Sequence, residues 1–135
     1  MMMYLLDTNI WLERLLDQGR SREVEEFLST VSSERLFITD FSLHSIGVIL
    51  GRLGCMPAFC SFIKDLFIDG SVTVIALDAV QMRRLVQVME MYRLDFDDAY
   101  QYTAAVEHGL ALVSFDSDFE RTPGGRMSPA DAIMH

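Results

Sequence analysis

The sequence predicts an α/β fold: three layers, α/β/α, around a mainly parallel central sheet of four to five strands. Three observations carry that expectation. Four short apolar runs, Tyr4-Leu5-Leu6, Leu36-Phe37-Ile38, Val72–Ala76 and Leu110–Ser114, are bounded by turn-forming residues. They read as nearly continuous hydrophobic strands, not as alternating ones, which is the signature of strands covered on both faces. The stretches between them carry apolar residues at helical spacing, and strands alternating with helices imply right-handed crossovers in a parallel sheet. Finally, 135 residues, half of them hydrophobic, suit one domain, 1–135, that buries a core without disulfides or a structural metal.

The first strand ends in Asp7-Thr8-Asn9, residues that favour a turn and a helix N-cap. Ile10, Leu12, Leu15 and Leu16 then form one face of a short helix that Gly19 ends. Ser21 is expected to cap a second helix, Arg22 to Val31, with Val24, Phe27, Leu28 and Val31 inward. After Leu36-Phe37-Ile38, Thr39-Asp40-Phe41-Ser42 opens a third helix carrying Leu43, Ile46, Val48, Ile49, Leu50 and Leu53. A fourth runs from Ala58 to Ile68, and Asp69-Gly70 turns the chain into the β-branched run at Val72. Asp78 caps a helix from Ala79 to Tyr92 with Val80, Leu85, Val86, Val88 and Met89 inward. Leu94–Asp98 leads into a helix from Ala99 to His108, with Ala99, Tyr102, Thr103 and Val106 inward and Gly109 at its end. Beyond the fourth strand the tail offers one edge strand around Arg126-Met127.

Composition narrows the function. The formal charge is −9, from 20 acidic and 11 basic residues; ten of the basic residues are Arg, and Lys64 is the only Lys. Such a chain has no general attraction for nucleic acid, so handling it requires cations or a local Arg patch. No apolar run approaches a membrane span and no signal-peptide pattern opens the chain, so the cytoplasm is expected. Cys55 and Cys60 match no metal knuckle and read as small buried hydrophobes. Neither nucleotide-binding glycine fingerprint appears, and a phosphoacceptor domain would need a late-strand Lys that the chain lacks.

The acidic residues stand at informative places. Asp7 follows the first strand, Asp116 and Asp118 follow the fourth, and Asp95, Asp97 and Asp98 precede the late helix. Ligand sites in open α/β sheets form at the carboxyl ends of strands. Each carboxylate also has a plain structural reading, as a helix cap or a first-turn charge against the macrodipole. Together they form a set that repels itself unless a cation neutralises it. Oxygen ligands without Cys or His favour Mg²⁺ or Mn²⁺ over zinc, and such ions serve phosphodiester hydrolysis.

In order and separation, Leu5-Leu6-Asp7-Thr8-Asn9, Asp97-Asp98-Ala99-Tyr100-Gln101-Tyr102-Thr103-Ala104-Ala105 and Leu112-Val113-Ser114-Phe115-Asp116-Ser117-Asp118-Phe119 resemble the PIN domain, above all the small toxins of VapC type. The resemblance covers the whole chain. It implies a metal-dependent ribonuclease, commonly a homodimer held in check by a small antitoxin protein. Carried over, Asp7, Asp98 and Asp116 match the family's catalytic and metal-binding carboxylates, and Asp118 matches an auxiliary ligand. Asn9 and Ser114 match supporting polar positions. The chain departs from the pattern in the third helix, where the family's Glu is replaced by Ser45 or His44. The alternative function is therefore a degenerate PIN domain that binds RNA or protein without turnover. His44 reads as a packed or solvent-tipped residue, and Arg14, Arg52 and Arg93 are candidate contacts to the RNA backbone.

Overall fold

The structure, a computed structural model, describes residues 1–134. Four strands form one sheet in the order β3-β2-β1-β4: β1 (Tyr4–Leu6), β2 (Leu36–Thr39), β3 (Thr73–Ile75) and β4 (Ala111–Val113). All three strand pairs are parallel, with Tyr4 opposite both Leu36 and Ala111. The expected edge strand near Arg126-Met127 reduces to a single parallel bridge between Val113 and Met127.

The helices are α1 (Thr8–Leu15), α2 (Ser21–Thr30), α3 (Asp40–Arg52), α4 (Met56–Ile63), α5 (Ala79–Tyr92), α6 (Phe96–His108) and α7 (Pro129–Ile133). A π-helical segment, Lys64–Ile68, continues α4. Strand periodicity explains why β1 is buried throughout. Tyr4 and Leu6 face one core with Trp11, Val24, Phe27, Ile46 and Leu50, whereas Leu5 faces the other with Leu85, Ala104 and Phe119. The first core lies under α1–α4 and α7, the second under α5 and α6, giving the α/β/α layers.

Topology then fixes where a site can form. Successive connections step from β1 to β2 to β3 in one direction, and the next returns across the sheet to β4. With right-handed crossovers, that reversal sends α5 and α6 to the opposite face. The carboxyl ends of β1 and β4 thus flank a switch point, where open sheets leave a crevice.

Several local expectations need correction. Ser21 does not cap α2: the Glu13 carboxylate accepts from the Arg20 N–H at 2.8 Å, and the helix begins at Ser21 itself. Val80, Val86, Val106 and Leu53 are exposed; on α5 the core is met along Met82, Leu85, Val88 and Met89, a stripe that excludes Val80 and Val86. Cys60 is exposed and Cys55 half-buried, so neither is the buried hydrophobe expected. The tail adds α7, capped by a Ser128–Asp131 box and seated on α2, where the Ala130 N–H reaches Glu23 at 2.9 Å. Five residues are too few to show a periodicity in sequence.

Candidate functional site

Asp7 ends β1 and is the N-cap of α1. Its backbone is extended, and Oδ1 accepts from the Thr8 N–H at 2.8 Å. The same Oδ1 accepts from Gln101 Nε2 at 2.9 Å, and Oδ2 accepts from the Ser114 hydroxyl at 2.7 Å. Only 6% of the residue is exposed. Burial pushes the Asp7 carboxyl above the ordinary carboxylate range; the Gln101, Ser114 and Thr8 hydrogen bonds oppose the rise, and the charge of Asp116 adds to it. A carboxylate carries about four acceptor positions. Three are used here, and the remaining one is on Oδ2.

Ser114, buried just past β4, links two of the carboxylates. While donating to Asp7 it accepts from the Asp116 N–H at 3.0 Å and from Asn9 Nδ2 at 3.3 Å. The Asn9 side-chain oxygen in turn accepts from the Phe115 N–H. Asp116 opens a short 3₁₀ turn, Ser117–Arg121, with Oδ1 accepting from the Asp118 N–H at 2.9 Å. Asp98 sits in the first turn of α6, and the Asp95 side chain that caps this helix accepts from its N–H at 2.8 Å. The chain thus directs two helix starts and one turn at a single crevice.

Carboxylate oxygens of Asp98, Asp116 and Asp118 all lie within 4.8 Å of one another. The Asp98 carboxyl is drawn up to about 7, first by burial, then by the charges of Asp116, Asp95 and Asp7, and by a hydrogen bond to Asp116. Asp7 lies beside this trio, outside its 4.8 Å limit. It lines with Asp98 and Asp116 a cavity of about 330 Å³, whose other walls include Asn9, Phe41, Ser45 and Asp97. Three half-buried carboxylates that repel one another, with no Cys or His among them, form a donor set suited to a hard divalent cation.

The α3 side supplies no carboxylate. Ser45 lines the cavity, whereas His44 is exposed and borders a separate apolar depression with Leu43, Gly47, Val48 and Phe59. Asp40 is engaged elsewhere: it accepts from the Tyr100 hydroxyl at 2.6 Å, and that oxygen accepts from the Leu77 N–H. Arg14 turns away from the crevice, toward Ser21 and Glu25. Arg93 is nearer, because Arg121 bridges its carbonyl and the Asp118 carboxylate.

Three buried polar residues beside Asp7 went unrecognised in the sequence: Thr39, Ser42 and Gln101. The available signal was Gln101 within a run from Ala99 to Ala105 that is otherwise alanine, tyrosine and one Thr, Thr103.

The profile of the PIN domain matches residues 4–125. The chain belongs to the PIN domain family. Membership places it among nucleases, a family that generally uses divalent metal. Solved structures agree in fold. A toxin–antitoxin complex from Klebsiella pneumoniae is 24% identical with a TM-score of 0.75, over 93% of this chain and 97% of that one. FitAcB from Neisseria gonorrhoeae is 18% identical with a TM-score of 0.74, over 94% and 98%. VapC20 from Mycobacterium tuberculosis, described as a sarcin-ricin loop cleaving toxin, is 16% identical with a TM-score of 0.73, over 87% and 92%. No curated protein matches. Among the described residues of this PIN domain, no helix is long and apolar enough to cross a membrane.

Proposed function

We propose that this PIN domain is a metal-dependent endoribonuclease of the toxin type. The observation that carries the reading is the trio Asp98, Asp116 and Asp118, its carboxylate oxygens within 4.8 Å of one another beside buried Asp7. Asp7, Asp98 and Asp116 are the principal cation ligands, and Asp118 assists once released from Arg121. When bound, Mg²⁺ or Mn²⁺ supplies the positive charge that polarises a phosphoryl oxygen and lowers the pKa of water.

The chain's own residues do the rest. Ser114 holds Asp7 through Oδ2 and Asp116 through its backbone, while Asn9 orients Ser114. Ser45 lines the cavity, where its hydroxyl can orient water or a phosphate oxygen. On a chain of charge −9, an anionic substrate needs local positive charge, and the Arg121 guanidinium stands at the acidic rim, on Asp118. RNA is the proposed substrate, the cytoplasm the compartment, and a homodimer paired with a small antitoxin protein the assembly. The Klebsiella toxin–antitoxin complex supports the partner reading.

The test is cleavage of single-stranded RNA by purified protein with Mn²⁺ or Mg²⁺, beside Asp7→Asn and an EDTA control. Cutting that requires both the metal and Asp7 is the expected result. Folded, partner-free protein that cuts nothing in a varied RNA pool overturns the reading. It would favour a binding module without turnover, a reading for which the absence of an α3 carboxylate beside Ser45 speaks.

A further inference from the structure

Gln101 is 1% exposed, at the centre of α6, and its carboxamide touches three elements of the fold. Nε2 donates to Asp7 Oδ1 at 2.9 Å and to Ser42 Oγ at 2.8 Å; Oε1 accepts from the Thr39 hydroxyl at 2.7 Å. Ser42 continues the chain to the Thr8 hydroxyl at 2.7 Å, and its N–H donates to Thr39. This network fixes which way the amide points. A flipped carboxamide would set its carbonyl oxygen against the Asp7 carboxylate, two acceptors with no hydrogen between them.

The consequence falls on Asp7. Gln101 and the Thr8 N–H fill both acceptor positions of Oδ1, so the free position is on Oδ2, shared with Ser114. Without Gln101 the side chain keeps one bond on each oxygen, from the Thr8 N–H and from Ser114, but Oδ1 loses the donor that holds it on the α3 side. Helix α3 offers hydroxyls there, Ser42 and the Thr39 that caps it, while its Asp40 is held by the Tyr100 hydroxyl.

We propose that Gln101 is a positioning residue: its carboxamide orients the Asp7 carboxylate for cation binding and ties that orientation to the start of α3. The inference rests on the nuclease reading for its biological purpose. Buried from solvent, Gln101 acts on cation and substrate only through Asp7.

The test measures Mn²⁺ affinity by the electron paramagnetic resonance of free Mn²⁺, together with the Mn²⁺ dependence of single-stranded RNA cleavage. The proteins are the wild type, Gln101→Met, Gln101→Glu and Asp78→Ala; Asp78 caps α5 and does not line the cavity, so its loss controls for stability alone. Partners that orient metal ligands typically contribute 10–100-fold to metal affinity. Gln101→Met should weaken Mn²⁺ binding by about that range, with saturating Mn²⁺ restoring most of the cleavage rate, while Asp78→Ala binds as the wild type does. Gln101→Glu preserves shape but turns a donor into an acceptor, and it too should weaken binding; it carries the test if Gln101→Met does not fold. Affinity within twofold of wild type in a folded Gln101 variant, or a gain in Gln101→Glu, overturns the proposal while wild-type cleavage leaves the nuclease reading intact. Wild type that binds Mn²⁺ through Gln101 yet cuts no RNA retains the positioning role and refutes the nuclease. Wild type that binds no Mn²⁺ refutes both.

Discussion

Removing one charge from the acidic trio should stabilise the metal-free protein, and only where that charge exists. The Asp98 carboxyl stands at about 7 against an ordinary 3.8, with burial and then the charges of Asp116, Asp95 and Asp7 as causes. The folded state therefore holds this proton more tightly than the unfolded state does. Between pH 4 and pH 7 the unfolded chain binds fewer protons, so stability falls as pH rises through that window and levels off above it. A shift of about three pH units corresponds to at most ~4 kcal/mol. Asp98 is half-buried, and solvent screening of a partly exposed group reduces this to roughly 1–2 kcal/mol. Asp98→Asn abolishes the penalty. It also forfeits a first-turn charge on α6 worth about 0.3–1 kcal/mol against the macrodipole, so the net gain at pH 8 is about 1 kcal/mol.

The assay is thermal unfolding in EDTA at pH 5 and pH 8. Asp98→Asn should melt about 3–5 °C above wild type at pH 8, for a domain of this size, and level with it or slightly below at pH 5. Adding Mg²⁺ or Mn²⁺ at pH 8 should raise the wild-type midpoint and leave the variant nearly unmoved, because a bound ion reverses the local charge logic. A variant no more stable than wild type at pH 8, or shifted equally at both pH values, would refute the reasoning. Either result means that the carboxylates do not strain the folded state.

Two further outcomes separate scaffold from site. Asp78→Ala removes the α5 capping box, in which Asp78 Oδ1 accepts from the Gln81 N–H at 2.8 Å. It should cost about 1 kcal/mol in urea denaturation and leave the Mn²⁺ affinity unchanged. Phe27→Ala empties a fully buried position whose ring meets Tyr4 edge-on at 5.3 Å. A loss of about 3–5 kcal/mol is expected by the same denaturation.

The fold was legible because its signals are local. Unbroken runs such as Tyr4-Leu5-Leu6 and Val72–Ala76 announce strands buried on two faces or packed at an edge, and Asp78 and Gly109 mark helix ends by chemistry that acts within one turn. Gly109 closes α6 at φ +65°, a conformation that glycine adopts without penalty. Arg93 closes α5 in the same region at φ +56°, with no comparable sequence signal. What stayed hidden depends on partners distant in the chain. Gln101 meets Asp7 across 94 positions and Thr39 across 62; its place in a mainly apolar run hints at burial, but no local pattern names those partners. The exposed Val80, Val86 and Val106 were misplaced for the converse reason: apolar type suggests burial, but the neighbouring element decides which stripe is covered.

Capping and ligation, weighed as alternatives for each carboxylate, turn out to be compatible in this architecture. Asp7 caps α1, Asp95 caps α6 and so places Asp98 in its first turn, and Asp116 holds the turn after β4. A cap uses one acceptor position of a carboxylate and fixes its direction, leaving others free. The hydrogen bonds that look structural are thus what aim the carboxylates. Three segments meet at the β1–β4 switch point, each ending in an anchored acid. Convergence of anchored charge is costly unless something offsets it, and among the described residues the ion pair recorded to these carboxylates is Arg121 on Asp118 at 3.1 Å. That contact is exposed and weakly held; on the proposed nuclease reading, a divalent cation bound by the trio would displace it and leave Arg121 free to meet an incoming phosphate.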